Sequence, residues 1–379
     1  MKIAQTQWTA ARGWMPEKPG VLGNTAQLIM AFGHRSALGD PQLIDEIQQA
    51  YPNAHLLGCS TAGEICDVEV WDDSLVVTAI QFEHTKVIGH AIHIDEVDDS
   101  FHAGEILAQK LSSEGLVHVF VLSDGLQVNG SELVRGLVKH LPETVTLTGG
   151  LSGDGANFEE TLVMWDKPPQ SGDVVAIGLY SDRLSVGCGS RGGWDTFGSE
   201  RLVTKSDANV LYQLDGQSAL DLYKQYLGEH AAGLPASGLL FPLSLSTSAT
   251  EMPVVRTILS VDEVGQSLTF AGDIPEGGRV RLMKATFDRL VEGASEAAVK
   301  SLKDLNSQSP DLAICISCVG RKLLLKQRIE EEVEGVREVL GDKPVLAGFY
   351  SYGEIAPFES GVECSLHNQT MTITTFSEH

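Results

Sequence analysis

Leu57-Gly58-Cys59-Ser60-Thr61-Ala62-Gly63-Glu64-Ile65 and Ala347-Gly348-Phe349-Tyr350-Ser351-Tyr352-Gly353-Glu354-Ile355 share one frame. Both glycines, the glutamate and the final isoleucine fall in the same register. A third, looser copy, Leu147-Thr148-Gly149-Gly150-Leu151-Ser152-Gly153-Asp154, is one residue shorter between its glycines. Internal similarity of this kind marks a repeated supersecondary unit.

The flanks of each copy agree with that reading. Upstream lie short apolar runs, Leu28–Phe32, Val117–Leu122 and Leu312–Ile316, which read as buried strands. Helical patterns follow. Asp40 is a good N-cap with Pro41 in the first turn, and Leu43, Ile44, Ile47 and Ala50 form one face. Leu133, Val134, Leu137, Val138 and Leu141 repeat the pattern in the second unit, and Ile329, Val333, Val336 and Leu340 in the third. Each helix ends near a proline (Pro52, Pro142, Pro344), and a second strand runs into the glycine signature. Strand, helix and strand over roughly thirty residues is a right-handed parallel crossover. Further strands, Leu75–Phe82, Val174–Tyr180 and Thr370–Phe376, follow the signatures.

The expected fold is therefore α/β, with repeated β-α-β units forming mixed, largely parallel sheets in two packed domains. The expected boundaries are a segment 1–24, a first domain 25–210 and a second 211–379, with the change before the helix at Ser218.

Composition excludes several classes. A net charge of −24 repels phosphate backbones, so nucleic acid is not an expected partner. The N-terminus has no apolar signal region, and no stretch of about 18 apolar residues occurs, so membrane insertion is not expected. Six scattered cysteines do not form a disulfide framework, and the expected location is the cytoplasm.

In open α/β sheets, ligands bind at the C-terminal strand ends. That edge would present Cys59, Ser60, Thr61, Glu64, Tyr350, Tyr352 and Glu354, with Asp154 from the looser copy. Asp124 and Arg321 would join from the loops after the first strands. Arg191, inside the glycine-rich run Gly189–Gly193, could cradle an anion. The competing reading makes the glycines a tight turn and the carboxylates caps for nearby amides. Cys315-x-x-Cys318 has a spacing that can hold a metal if partners converge on it. A thiol enzyme using Cys59 would need a general base beside it. No nucleophile elbow or phosphate-binding loop is present, so an enzyme is not the expectation.

Together with Gly192-Gly193-Trp194 and Leu366-His367-Asn368-Gln369-Thr370, the three signatures resemble the FIST-domain sensory proteins of bacteria over residues 25–376. The resemblance implies a signal-transduction sensor for a small ligand, with amino acids or another small polar metabolite as one class. A standalone subgroup it resembles, NosP, implies haem b and nitric oxide as ligands, a partner histidine kinase, and control of cyclic-di-GMP and biofilm signalling. Under that implication the iron ligand would come from His34, His230 or His367. The two halves are expected to pack together, and a homo-oligomer is compatible with the pattern.

Overall fold

The computed structural model describes residues 1–247, 253–305, 309–358 and 363–379. Three units of the same plan follow one another. Each has a lead strand (Leu28–Gly33, Leu116–Ser123, Leu312–Cys318) and, after a helix, a second strand parallel to it (His55–Ser60, Thr146–Leu151, Val345–Ser351). A return strand (Ser74–Gln81, Asp173–Tyr180, Met371–Glu378) then lies antiparallel on the other side of the lead strand.

The units are laced together by strands that leave their own sheet. Glu64–Cys66 of the first unit pairs with the third unit's second strand. Val163–Trp165 of the second pairs with the first, and Gly353–Pro357 of the third pairs with the second. A further strand from each of the first two units crosses the opposite way. Lys86–His93 and Leu184–Arg191 pair with the next unit's return strand, and Lys2–Thr9 fills the equivalent place beside Ser74–Gln81. Among the described residues, three six-stranded sheets joined by this exchange close as a three-sided prism around one shared core.

Alternation along the lead strands explains why they read as unbroken apolar runs. Leu28, Met30, Phe32, Phe120, Leu122, Leu312, Ile314 and Ile316 point inward and meet in one core. Phe32 and Phe349 touch there with ring centroids 4.7 Å apart. The intervening residues point outward under helices. Ile29 and Ala31 pack with Leu43, Ile44 and Ile47 of helix Pro41–Ala50. Val119, Val121, Ala313 and Cys315 share a core with residues of helices Ser100–Lys110, Gly130–Val138, Phe287–Ser301 and Glu330–Leu340. Burial on both faces is the condition that makes a strand apolar throughout.

Between the second unit and helix Phe287–Ser301, the described residues of 195–284 build an eight-stranded antiparallel sheet around helix Ala219–Leu227. It has a core of its own, including Leu211, Leu220, Tyr223, Leu268 and Phe270.

The expectation of largely parallel sheets is overturned. Each unit contributes one parallel pair, and the other pairings among the described residues are antiparallel. The crossover motif sets the direction of its own two strands only. The return strands, the exchanged strands and the whole inserted sheet run the other way.

Candidate functional site

The three glycine signatures meet at one end of the prism, where the parallel strands finish. Gly58, Gly149 and Gly348 are paired across from Ala31, Val121 and Cys315 of their lead strands. A Cβ at these positions would sit 2.6, 2.0 and 1.8 Å from the carbonyl oxygens of those residues. The first glycine of the repeat is thus demanded by backbone approach. Beyond it, the signatures bond to each other: Ala62 N–H to Tyr350 O (2.8 Å), Gly153 N–H to Ser60 O (3.0 Å), and Tyr352 N–H to Leu151 O (3.2 Å).

The polar residues between the glycines are used in this closure. The Glu64 carboxylate accepts from the Thr61 hydroxyl (2.5 Å) and from the Ser74 hydroxyl (2.7 Å) and amide (3.2 Å). Glu354 repeats the clasp with the Ser351 hydroxyl (2.6 Å) and the Thr370 hydroxyl (2.9 Å) and amide (3.1 Å). Burial pushes Glu64 up to about 7 and Glu354 up to about 8, against the pull of those donors. The second unit has no glutamate there. Asp124 instead accepts from the amides of Leu126, Gln127 and Gly172 and from the Ser171 hydroxyl. Asp154 accepts from the amides of Phe158, Glu159 and Glu160 and from the Tyr352 hydroxyl. The Ser60 hydroxyl accepts from Leu162 N–H at 2.8 Å.

Arg321 lies in a separate buried network. Its guanidinium bonds to Glu332 (2.7 and 3.0 Å) and to the carbonyls of Leu290 and Gly192. Glu332 also accepts from the Tyr350 hydroxyl (2.6 Å) and the Ser317 hydroxyl (3.1 Å). Arg191 stands apart from both networks, beside Glu296 at 3.5 Å. Cys59 points into the apolar centre of the prism, where burial drives its thiol well above the usual range. Cys315 and Cys318 are both buried in apolar surroundings, and the described residues include no cluster of metal-ligating side chains.

The three histidines are not brought together. His34 caps a short helix, with Nδ1 on Ser36 and Nε2 3.6 Å from Asp73. His230 is exposed against Phe241. His367 is buried, its Nε2 lies 2.9 Å from Ala356 O, and burial lowers it to about 4. Among the described residues, an apolar cavity on the prism axis and another in the inserted sheet are lined by no histidine or cysteine. In this conformation these residues do not fit haem.

One region was missed by sequence reasoning. The inserted sheet docks on the third unit's strand ends, and polar groups are trapped at the seam. Arg256 is 7% exposed, and its bonds go to neutral acceptors: the carbonyls of Asp273 (3.0 Å), Val255 (3.1 Å) and Leu366 (3.1 Å), and weakly the Ser131 hydroxyl. No carboxylate among the described residues lies within ion-pair distance of it, although Asp273 acts on it through space. Next to it, Thr257 N–H donates to Asn368 Oδ1, and Asn368 Nδ2 reaches Tyr352 O. Gln369 donates to Leu239 O at 2.8 Å. The Thr257 hydroxyl and Gln369 Oε1 are buried without a partner among the described residues. The available signal was a lone arginine in the strand-like run Val254-Val255-Arg256-Thr257-Ile258.

Comparison with known proteins supplies the wider context. An uncharacterized protein of Methanocaldococcus jannaschii, MJ1623, is 23% identical over 320 residues. The match takes in 78% of this chain and 60% of that relative, so the chain spans less than two thirds of the relative's length. Two solved structures of cyanuric acid hydrolase, one from A. caulinodans, cover 78% of the chain at 12% and 11% identity, and 99% and 100% of their own chains. Both have a TM-score of 0.18, at which a likeness carries no argument. No described helix is long and apolar enough to cross a membrane. Residues 27–217 match the FIST N domain and residues 219–357 the FIST C domain, so the chain belongs to the FIST family and carries both of its domains.

Proposed function

We propose that this FIST protein senses a small zwitterion of the amino-acid class, bound where the inserted sheet closes on the third unit. The observation that carries this reading is Arg256, a buried guanidinium held only by neutral acceptors beside two unpartnered polar atoms. Asp273 acts on Arg256 only through space and outside ion-pair distance, burial still lowers the guanidinium to about 10, and an incoming carboxylate relieves the remaining cost. Gln369 Oε1 and the Thr257 hydroxyl supply acceptors for an ammonium group. The seam is closed, so a ligand enters by parting the inserted sheet from the prism. A ligand that binds the parted form shifts the balance between the two arrangements, which is the physical content of sensing.

The haem and nitric oxide reading, with its partner kinase and biofilm output, rests on the subgroup resemblance and has no support from the histidine placement described above. A thermal-shift screen of L-amino acids on the intact chain tests the proposal. At least one should raise the melting temperature saturably, and Arg256→Gln should abolish that rise. A screen with no saturable response, or an unchanged response in Arg256→Gln, overturns it. A stoichiometric Soret band after haem addition would favour the subgroup reading instead.

A further inference from the structure

The first turn of helix Gly130–Val138, in the second unit, also meets the inserted sheet. Asn129 Nδ2 donates to Asp273 Oδ1 at 2.8 Å, and Asp273 N–H donates to the Ser131 hydroxyl at 3.3 Å. Arg256 reaches the same hydroxyl at 3.5 Å, so this contact continues the seam described above. Glu132 and Asp273 face each other across it. One nitrogen of Arg135 lies 2.5 Å from Glu132 and 4.0 Å from Asp273, so two carboxyl groups share a single guanidinium. Their side chains are only 26% and 23% exposed.

The charges at this contact do not balance. Glu132 faces Asp273 from the inserted sheet, Arg135 from its own helix, and Asp99 from the cap of helix Ser100–Lys110. Asp99 is held by His102 at 3.0 Å, and Arg256 lies beyond Asp273. His367, on the neighbouring strand Cys364–His367, is turned to Ala356 O and is lowered to about 4 by burial. Arg135 is 63% exposed, so water screens much of its charge. Burial raises the Glu132 carboxyl, and the bond and charge of Asp273 raise it further, against the pull of Arg135. Two carboxyls in contact need one proton between them, because the doubly ionised pair repels.

We propose that Glu132 and Asp273 form a pH-sensitive latch on the inserted sheet, closed while the two carboxyls share one proton and released when both ionise. Parted carboxyls return to water and to their ordinary values of roughly 3.9–4.3. The closed seam thus keeps a proton that the parted seam has lost, and closure weakens as pH rises above that range. The bearing of the latch on ligand affinity rests on the amino-acid reading of the Arg256 seam, whereas the latch itself is measured without ligand.

Hydrogen exchange of the ligand-free full chain, read as protection factors at pH 5 and pH 8, tests it. Two amides bond across the seam, Thr257 N–H to Asn368 Oδ1 and Asp273 N–H to Ser131 Oγ, both at 3.3 Å. Phe270 N–H, bonded to Asn209 O at 2.9 Å, stays within the inserted sheet and serves as the reference. Between pH 5 and pH 8, protection at Thr257 and Asp273 should fall roughly ten-fold more than at Phe270, the weight of about one unit of proton affinity. Glu132→Gln keeps a donor for Asp273 and cannot ionise, so it should remove that excess, and Asp273→Asn should do the same. Glu354→Gln should retain it, which separates the latch from the clasp at Glu354. A fall at the seam no larger than at Phe270, an undiminished excess in Glu132→Gln, or its loss in Glu354→Gln overturns the proposal. The amino-acid screen does not enter this test, so each reading can fail alone.

Discussion

Arg321 and Glu332 form an ion pair at 2.7 Å with neither side chain exposed to solvent. Glu332 also takes the hydroxyls of Tyr350 and Ser317, so the pair ties helix Glu330–Leu340 to the lead and second strands of the third unit. Truncating one partner strands the other charge in the core, which costs roughly 3–5 kcal/mol. Arg321→Ala and Glu332→Ala should therefore each lower the denaturation midpoint steeply. The double variant Arg321→Met/Glu332→Leu should lose less than the sum of the singles, because no lone charge remains. Additive losses would show that the two side chains do not act as a pair.

The glycine register was legible because its cause is local: a lead-strand carbonyl occupies the space a Cβ would need at Gly58, Gly149 and Gly348. The helix start at Asp40 was equally local, with its carboxylate capping Gln42 N–H at 2.9 Å. Strand direction was not local. Nothing in Glu64–Cys66 or Gly353–Pro357 announces that these strands cross to another unit's sheet, antiparallel. The polar residues of the signatures were read as a presented edge. That the three signatures converge and spend those groups on one another follows from the closure of the prism, which no single stretch encodes. Arg256 was overlooked because its meaning depends on which carbonyls surround it.

Glu64 and Glu354 give the protein a distinctive pH response. Their folded values, about 7 and about 8, lie above the ordinary carboxyl value of roughly 4.3. Between roughly pH 4.3 and those values, the folded chain holds protons that the unfolded chain has released. Their contribution to stability therefore falls as pH rises through this window, and the loss is complete above the folded values. Glu354→Gln cannot ionise, so its melting temperature should fall less than the parent's between pH 5 and 9. Parallel curves for the two proteins would refute the raised value at Glu354.

A thiol-dependent reaction at Cys59 requires an accessible thiolate. Cys59 is fully buried in the prism centre, with its thiol held protonated by desolvation. Burial raises the thiols of Cys66, to about 12, and Cys364 as well, but both residues are only half-buried, so access is what sets them apart from Cys59. Iodoacetamide labelling of the native chain at pH 8, read by peptide mass spectrometry, should modify Cys66 and Cys364 before Cys59. Cys59 should react only in denaturant. Equal labelling of Cys59 with and without denaturant would reopen the enzyme reading.

The three first glycines should differ in their tolerance of a methyl group, in the order set by carbonyl approach. At Gly58 the added Cβ would meet Ala31 O at 2.6 Å, together with the flexible Met164 side chain. Ala31 O is also a backbone oxygen of a parallel pair, but the approach is less severe than at the other two glycines, so the shift required is smaller. At Gly149 and Gly348 the backbone carbonyls would be closer still, at 2.0 and 1.8 Å, so the parallel pairs would have to open further. Gly348→Ala and Gly149→Ala should therefore lower the melting temperature more than Gly58→Ala, or prevent folding altogether. Because Gly348 lies in the strand that also pairs with Glu64–Cys66 of the first unit, its loss should loosen a sheet built from two units at once. Hydrogen exchange of any Gly348→Ala protein that folds should show early opening at both Val345–Ser351 and Glu64–Cys66. Opening confined to the first of these would mean that the exchanged strand is not what holds the two units together.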